Sequence, residues 1–271
     1  MRFAKSLIII VLMSVFSVAK GQTKDVFLDK IDFCDTTLID SEFLKTAIAD
    51  YITEAQNAGL PPEKQIYHVI LAADNVLSRS VTSYQMYRFV YQYLISGFSE
   101  LGTNEIIDYM MRMPYLEYLD ATKEQINDIQ KIAETYNRVK IGMYVPDIQS
   151  VTVEGEKFRL YDVDAEYTIV FFWSYSCPHC RELIMELADF TKENSSFSVV
   201  TVSVSGRMKQ VKRILKKSKL KGYHICDGLV WESPIVKSLA VDMTPSFFLL
   251  DRDKKIIAKP FDIEDIINKT K

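Results

Sequence analysis

The sequence predicts an α/β domain, with a central mixed sheet flanked by helices, preceded by an all-α domain. Two observations predict this arrangement. Apolar residues recur at three-to-four-residue spacing from about residue 25 to residue 141, as on amphipathic helices. After Gly142, short β-branched and aromatic segments alternate with helical ones, which is typical of a sheet covered by helices. A chain of 271 residues is long enough for two domains, which we place at residues 23–141 and 142–271.

Residues 1–22 predict a secretory signal peptide. Arg2 and Lys5 precede an apolar run at residues 7–18, and the small residues Ala19 and Gly21 come before a suitable cleavage point. An uncleaved membrane anchor is the alternative, although the run is short for a bilayer span. Cleavage would leave an exported, periplasmic protein with no stable insertion in the membrane.

The composition is that of a globular protein, with 48% hydrophobic and 25% charged residues. A formal net charge of −3 lacks the basic excess that is usual in nucleic-acid binding, so no nucleic-acid partner is expected. One segment is nevertheless strongly basic, between Arg207 and Lys221. It indicates either the solvated face of a helix or a docking surface for an acidic partner.

The first domain is predicted to contain five helices. Ser41 is a suitable cap for the first, which stops before Gly59 and is followed by two prolines. Its inner face is expected to carry Phe43-Leu44, Ala47-Ile48 and Tyr51-Ile52. The others are predicted at 64–78, from 84 to Gly97 or Gly102, at 104–113 and at 123–138. The tyrosines at 84, 87 and 91 are interpreted as helix packing rather than as a ligand-binding face, since aromatic rings bury large areas. His68 is interpreted as structural.

The second domain begins with a predicted hairpin at residues 151–160, turning at Gly155. The continuous apolar run at 168–173 suits a central strand covered on both faces. Further strands are predicted at 197–204, 247–250 and 255–257. Helices are predicted after Cys180, at 207–219 with Met208, Val211 and Leu215 inside, at 235–239 and at 262–268.

Cys177 and Cys180 form the candidate catalytic pair, because a disulfide exchanger needs one exposed, ionisable thiol and a second thiol to resolve the mixed disulfide. Cys177 is expected where a strand gives way to a helix, so that backbone N–H groups and the helix dipole stabilise its thiolate. Pro178 suits the first helical position, and His179 would add a donor or a positive charge beside the sulfur. We therefore predict that Cys177 attacks and Cys180 resolves.

Three stretches carry a family resemblance: residues 172–181 (FWSYSCPHCR), the hairpin at 151–160, and residues 243–251 (MTPSFFLLD). They resemble thioredoxin-like proteins, particularly the exported TlpA/ResA-like thiol–disulfide oxidoreductases. The resemblance implies a cis Pro245, substrate binding by Thr244, Pro245 and Trp173, and no cofactor beyond a Cys177–Cys180 disulfide. It also implies protein thiols or disulfides as substrates and a redox partner in the cell envelope. The helical half resembles a domain of unknown function that precedes such modules.

Several positions depart from the family pattern. Phe171 stands where thioredoxin has a buried acid, and Leu183 stands where many relatives have a glutamate, with Glu182 and Glu186 nearby. The group that manages the proton of Cys180 is therefore open. The Pro-His pair between the cysteines is shared with strongly oxidising DsbA-like proteins, but it does not fix the direction of electron flow.

The cysteines admit other roles. A structural Cys177–Cys180 bridge would close a very small loop and stabilise little. Zinc could be held by both cysteines with His224 and Cys226. The remaining alternative for the domain as a whole is a non-catalytic scaffold that binds a partner.

A thiol peroxidase on this fold would need a threonine and a proline upstream of its cysteine. Those positions hold Ser174 and Val170.

Cys34 and Cys226 either form a bridge or remain separate buried thiols, since nothing in the sequence brings them together.

Overall fold

The computed structural model describes residues 28–56, 59 and 61–270, so the predicted signal peptide lies outside the described residues. The chain divides into two compact units, one up to Glu134 and one from Thr135 onward. Across the described ranges, no helix is both long and apolar enough to cross a bilayer.

The first unit is helical, and the predicted helices are confirmed. They are α1 (Glu42–Gln56), α2 (Pro62–Ser80), α3 (Tyr84–Glu100), α4 (Asn104–Met110) and α5 (Lys123–Arg138), the last of which continues into the second unit. Ser41 caps α1 as predicted, because its hydroxyl accepts a hydrogen bond from the Leu44 N–H at 3.2 Å. Ser83 caps α3 through the Met86 N–H in the same way.

The tyrosine stripe of α3 is confirmed as helix packing. Tyr87 and Tyr91 are fully buried, and their hydroxyls donate to the carbonyls of Pro114 and Met110. Burial raises the pKa of both phenols, which therefore stay neutral. One prediction for α1 is wrong: Phe43 is exposed, because the inner face of the helix begins at Leu44.

The second unit contains a five-stranded sheet in the order β5-β4-β3-β6-β7, next to the separate hairpin β1-β2. The strands are β1 (Gln149–Val151), β2 (Lys157–Arg159), β3 (Tyr167–Trp173), β4 (Phe197–Ser203), β5 (Tyr223–Ile225), β6 (Ser246–Leu250) and β7 (Ile256–Ala258). The helices are α6 (Pro178–Glu193), α7 (Met208–Ser218), α8 (Pro234–Ser238) and α9 (Ile263–Lys269). The sheet is mixed, since β3 runs parallel to β4 and antiparallel to β6.

The central strand β3 separates two apolar cores, as the continuous apolar run predicted. Ile169, Phe171 and Trp173 face one core, which also holds the buried side chains of α6. Val170 and Phe172 face the other, with side chains from the hairpin and α8. Side chains alternate across a strand, so a strand buried on both faces must be apolar throughout.

Two features of this unit differ from the sequence-based prediction. The edge strand β5 was not predicted; Gly222 precedes it with φ +134°, and a Cβ there would lie 2.2 Å from the Val199 carbonyl oxygen. Glycine therefore permits the close approach of β5 to β4. Met208 was expected on the inner face of α7 but is 38% exposed, because it is the first residue of the helix and only Val211 and Leu215 reach the core.

Candidate active site

Cys177 lies at the junction between β3 and α6. It is the N-cap of α6, with extended backbone angles of φ −80° and ψ 114°, and Pro178 takes the first helical position. The Cys177 sulfur accepts a hydrogen bond from the Cys180 N–H at 3.2 Å. The first-turn N–H groups of a helix have no partner within the helix, so a thiolate here receives donors and the positive end of the dipole.

The two thiols of this motif have different surroundings. Cys177 is partly exposed, whereas Cys180 is fully buried, and both are free thiols in this structure. Burial raises the pKa of Cys180 to about 12, and its interaction with Cys177 also raises it; hydrogen bonds from the Ser174 backbone and the Thr244 side chain act in the opposite direction. Cys180 therefore stays protonated at neutral pH while Cys177 remains accessible.

The raised pKa of Cys180 predicts an alkaline loss of stability in the reduced protein. Above about pH 9 the unfolded chain loses this proton while the folded protein keeps it up to about pH 12, so the folded state becomes less stable as pH rises. The slope is about 1.4 kcal/mol per pH unit. Below pH 9 both states hold the proton, and the effect vanishes.

The comparison is between the wild type and Cys180→Ala, both unfolded by denaturant under reducing conditions between pH 8 and 11. Every other titrating group is common to the two proteins, so the difference in slope belongs to Cys180. We expect the free energy of unfolding of the variant to fall less steeply with pH. Equal slopes would contradict the assigned burial of this thiol.

Hydroxyl groups hold the loop that precedes Cys177. Ser174 Oγ lies 2.9 Å from Ser176 Oγ and 3.3 Å from Ser205 Oγ, and Ser205 Oγ also accepts from the Tyr175 N–H at 3.2 Å. Arg181 donates to the Tyr175 carbonyl at 2.8 Å. Sequence reasoning missed the roles of Ser205 and Tyr175. A signal was available, since Ser205 follows the parallel strand β4 and the carboxyl ends of adjacent parallel strands meet at one edge of a sheet.

Thr244 reaches the groove at Cys177 from the loop that precedes β6. The Thr244–Pro245 peptide bond is cis, and Thr244 lines the same open groove as Cys177. Within the described residues, the backbone N–H and C=O of Thr244 have no hydrogen-bond partner. These two groups are therefore available to an extended chain that enters the groove.

The structure does not place every predicted site residue at the surface of the site. Trp173 was assigned to substrate binding but has no exposed surface, since it faces the core between β3 and α6. His179 is exposed and lies 3.6 Å from Glu182, measured from Nδ1 to Oε2. Its ring therefore points along the outside of α6, and among the described residues it makes no hydrogen bond to Cys177.

The structure also shows the surroundings of the positions that depart from the family pattern. Phe171 fills the place of the missing acid and stacks on Phe247, with ring centroids 4.2 Å apart. Glu182 and Glu186 are both exposed on the outer side of α6, whereas Cys180 is on its buried side. Neither carboxylate is placed to take the proton of Cys180 directly.

The zinc alternative does not fit the geometry of its proposed ligands. His224 is buried, its Nε2 donates to the Leu220 carbonyl at 3.1 Å, and its Nδ1 accepts from the Thr201 hydroxyl at 2.9 Å. The thiol of Cys226 points to the Ser205 carbonyl at 3.3 Å. In the part of the chain that the structure describes, no three His, Cys, Asp or Glu side chains are grouped to hold a metal ion.

The remaining cysteines are separate thiols. Cys34 is exposed and Cys226 is buried, and neither is in a disulfide. Burial raises the pKa of Cys226, so this thiol is protonated at neutral pH.

Comparison with known proteins identifies the fold of this unit. Residues 141–259 match the AhpC/TSA family. A thioredoxin-like protein from Bacteroides caccae aligns over 95% of this chain and 98% of its own, with a TM-score of 0.54 and 13% identity. The second unit has a thioredoxin-like fold. The same alignment extends over the helical unit, so both parts have structural counterparts.

Two further solved structures resemble the thioredoxin-like domain. The thioredoxin domain of a thiol-disulfide oxidoreductase from Bacteroides vulgatus is 23% identical, covering 48% of this chain and 94% of its own, with a TM-score of 0.44. A thiol-disulfide oxidoreductase from Bacteroides fragilis is 24% identical, covering 47% and 96%, with a TM-score of 0.43. No curated protein matches the chain.

Proposed function

We propose that the chain is an exported thiol–disulfide oxidoreductase that exchanges disulfides with protein substrates through Cys177 and Cys180. The observation that carries this proposal is the contrast between the two thiols. Cys177 is accessible and accepts a backbone hydrogen bond at the start of α6, whereas Cys180 is buried and its pKa is raised to about 12. Attack at the surface and resolution from inside need this division of roles.

The reaction consists of two exchanges that balance without a cofactor. The Cys177 thiolate attacks one sulfur of a substrate disulfide, forming a mixed disulfide and releasing the other sulfur as a thiolate. Cys180 then loses its proton and attacks the Cys177 sulfur, forming the Cys177–Cys180 disulfide and releasing the second substrate thiolate. Two electrons pass from the dithiol to the substrate, and the reverse sequence oxidises a substrate dithiol.

The resolving step requires Cys180 to lose its proton only after the mixed disulfide has formed. Its hydrogen bond with Cys177 is then gone, and the hydrogen bonds from the Ser174 backbone and the Thr244 side chain remain to stabilise its thiolate. The departing substrate thiolate is a suitable acceptor for the proton. With this proton acceptor, the resolving step needs no carboxylate at the position that Phe171 occupies.

Thr244 and the cis Pro245 are proposed to align the substrate chain. An extended segment beside Cys177 can pair with the free N–H and C=O of Thr244, as an added strand pairs with a sheet edge. Pro178 and His179 are proposed to tune the thiolate, the proline by starting α6 directly after Cys177 and the histidine by its charge.

The place of action and the redox partner follow from the predicted signal peptide. Residues 1–22 are proposed to direct export to the periplasm, where thiols are not kept reduced by default. The cycle then requires a redox protein of the envelope, which either reduces the Cys177–Cys180 disulfide or oxidises the dithiol.

The experiment that tests this function is equilibration of the Cys177–Cys180 pair against defined thiol–disulfide buffers, followed by thiol alkylation and mass spectrometry. We expect one two-electron couple. A potential near about −270 mV assigns the chain as a reductant, and one near about −120 mV assigns it as an oxidant. A pair that does not cycle in any buffer would overturn the proposal.

A thiol peroxidase is the second candidate, favoured by the match of residues 141–259 to the AhpC/TSA family. Ser174 and Val170 stand where a peroxidase of this fold has its threonine and proline. Reduced protein mixed with hydrogen peroxide distinguishes the two functions. We expect slow oxidation, comparable to that of a free thiol. Rapid formation of a Cys177 sulfenic acid, followed by the Cys177–Cys180 disulfide, would make peroxidase the better assignment.

A further inference from the structure

A groove opens directly beside Cys177, and we call it the Trp231 groove. Its volume is about 410 Å³, and its lining includes Tyr175, Cys177, Gly206, Val230, Trp231 and Thr244. One end is therefore the reactive sulfur and the Thr244 backbone, and the far wall is formed by the segment that follows β5. The function proposed above uses only the end at Cys177.

The far wall of the groove is apolar and fixed in place. Trp231 is 43% exposed, a large aromatic surface left open to solvent. Val230 has φ +56°, which a β-branched residue rarely adopts. Its side chain packs beside Gly206, where an added Cβ would lie 3.7 Å from Val230 Cγ2. The Leu229 N–H donates to Asp227 at 2.9 Å, and the Leu229 carbonyl accepts from the Glu232 N–H at 2.9 Å.

Two arginines contact Tyr175, which lines the groove. Arg207 lies over the Tyr175 ring, with its guanidinium carbon 6.0 Å from the ring centroid, and Arg181 donates to the Tyr175 carbonyl. Neither guanidinium pairs with a carboxylate among the residues that the structure describes. Acids of the neighbouring segments have other partners: Asp227 accepts from the Leu229 N–H, Glu232 pairs with Lys237, and Glu182 lies 3.6 Å from His179.

We propose that the Trp231 groove selects the substrate: it binds a large apolar side chain next to the reacting cysteine, and Arg207 favours a carboxylate close by. This inference rests on the proposed thiol–disulfide exchange. The occupant is a polypeptide segment, because Thr244 presents a backbone N–H and C=O without partners at the sulfur end, and the two arginines complement an acidic chain. The apolar wall supplies a preformed anchor site, which aromatic side chains occupy with large burial of area.

The experiment measures kcat/KM for short peptides that each carry one cysteine as a mixed disulfide with a chromophoric thiol. One pair of peptides differs by Phe or Ser next to the cysteine, and the second pair differs by Glu or Lys two residues away. We expect wild-type protein to prefer Phe over Ser by about 10-fold and Glu over Lys by about 5-fold. The second preference should shrink as salt is added, because exposed charges are screened.

Matched variants assign these preferences to the groove. Trp231→Ala is expected to reduce the Phe-over-Ser ratio to about 2, whereas Leu229→Ala, a neighbouring exposed side chain outside the groove, leaves it unchanged. Arg207→Glu is expected to reverse the Glu-over-Lys ratio. Lys216→Glu makes the same change of charge about 13 Å further along the basic helix, and the ratio should stay as in the wild type.

The outcomes separate this inference from the function on which it rests. If the wild type does not exchange with a small disulfide such as bis(2-hydroxyethyl) disulfide, the proposed function itself fails. If that reaction proceeds but the peptide ratios are close to one, or are the same in wild type, Trp231→Ala and Arg207→Glu, the groove does not select substrates. Trp231→Phe is a second variant that keeps an aromatic surface, and it should restore most of the preference for Phe.

Discussion

Replacing Cys177 with serine is expected to abolish disulfide exchange, lowering turnover by at least about 1,000-fold. A serine hydroxyl does not ionise near neutral pH, so the nucleophile is lost. Folding should be unaffected, because the side chain is partly exposed and serine is itself a good N-cap for α6. The measurement is the rate of insulin or peptide disulfide reduction with excess reductant, together with the free energy of unfolding.

Cys34→Ser is the matched control for this variant. Cys34 is also an exposed free thiol, but it lies in the helical unit and outside the CxxC motif. We expect wild-type turnover from it. Full activity in Cys177→Ser would contradict the catalytic assignment, and it would favour the alternative in which the thioredoxin-like domain is a scaffold that binds a partner.

The long periodic elements of this chain were predictable from local sequence. The helix at residues 123–138 and the central strand from 168 to 173 were both predicted close to their observed bounds, α5 (Lys123–Arg138) and β3 (Tyr167–Trp173). In each case the apolar pattern extends over several turns or over a strand buried on both faces. The local apolar pattern then shows which residues become buried and stabilise the element.

Short elements at the edge of the sheet were not predictable in the same way. The three residues of β5 form a strand because β4 offers its edge and Gly222 allows the approach, so the cause lies in another part of the chain. Phe43 and Met208 were misplaced for a related reason. Each lies in the first turn of its helix, where the apolar pattern has not yet fixed which side faces the core.

The candidate site was predictable only where it is contiguous in sequence. Cys177, Pro178 and Cys180 belong to one motif, and their arrangement follows from a strand that ends where a helix begins. Ser205 and Trp231 reach the same groove from the ends of β4 and β5, which only the fold brings together. Trp173 illustrates the opposite error: its position beside the motif suggested contact with substrate, but alternation along β3 turns it into the core.

Replacing Cys180 with serine is expected to stop the cycle at the mixed disulfide. Cys177 remains able to attack, but the buried thiol that would displace the substrate from it is gone. We expect turnover to fall by at least about 100-fold, because an external thiol lacks the effective concentration of a neighbouring group. The enzyme and substrate should accumulate as a one-to-one covalent complex, seen by mass spectrometry and dissolved by dithiothreitol.

Variants of Cys226 test whether Cys180 alone resolves the mixed disulfide. It is the other buried thiol of the thioredoxin-like domain, and its sulfur points to the carbonyl of Ser205, whose hydroxyl supports the loop before Cys177. We expect Cys226→Ser to cycle normally and Cys180→Ser/Cys226→Ser to trap the same complex as Cys180→Ser. If the complex forms only in the double variant, Cys226 can resolve the mixed disulfide, and the buried partner of Cys177 is not unique. Position 180 has no exposed surface, so a serine hydroxyl there could destabilise the fold. In that case Cys180→Ala replaces Cys180→Ser, and it should accumulate the same mixed disulfide.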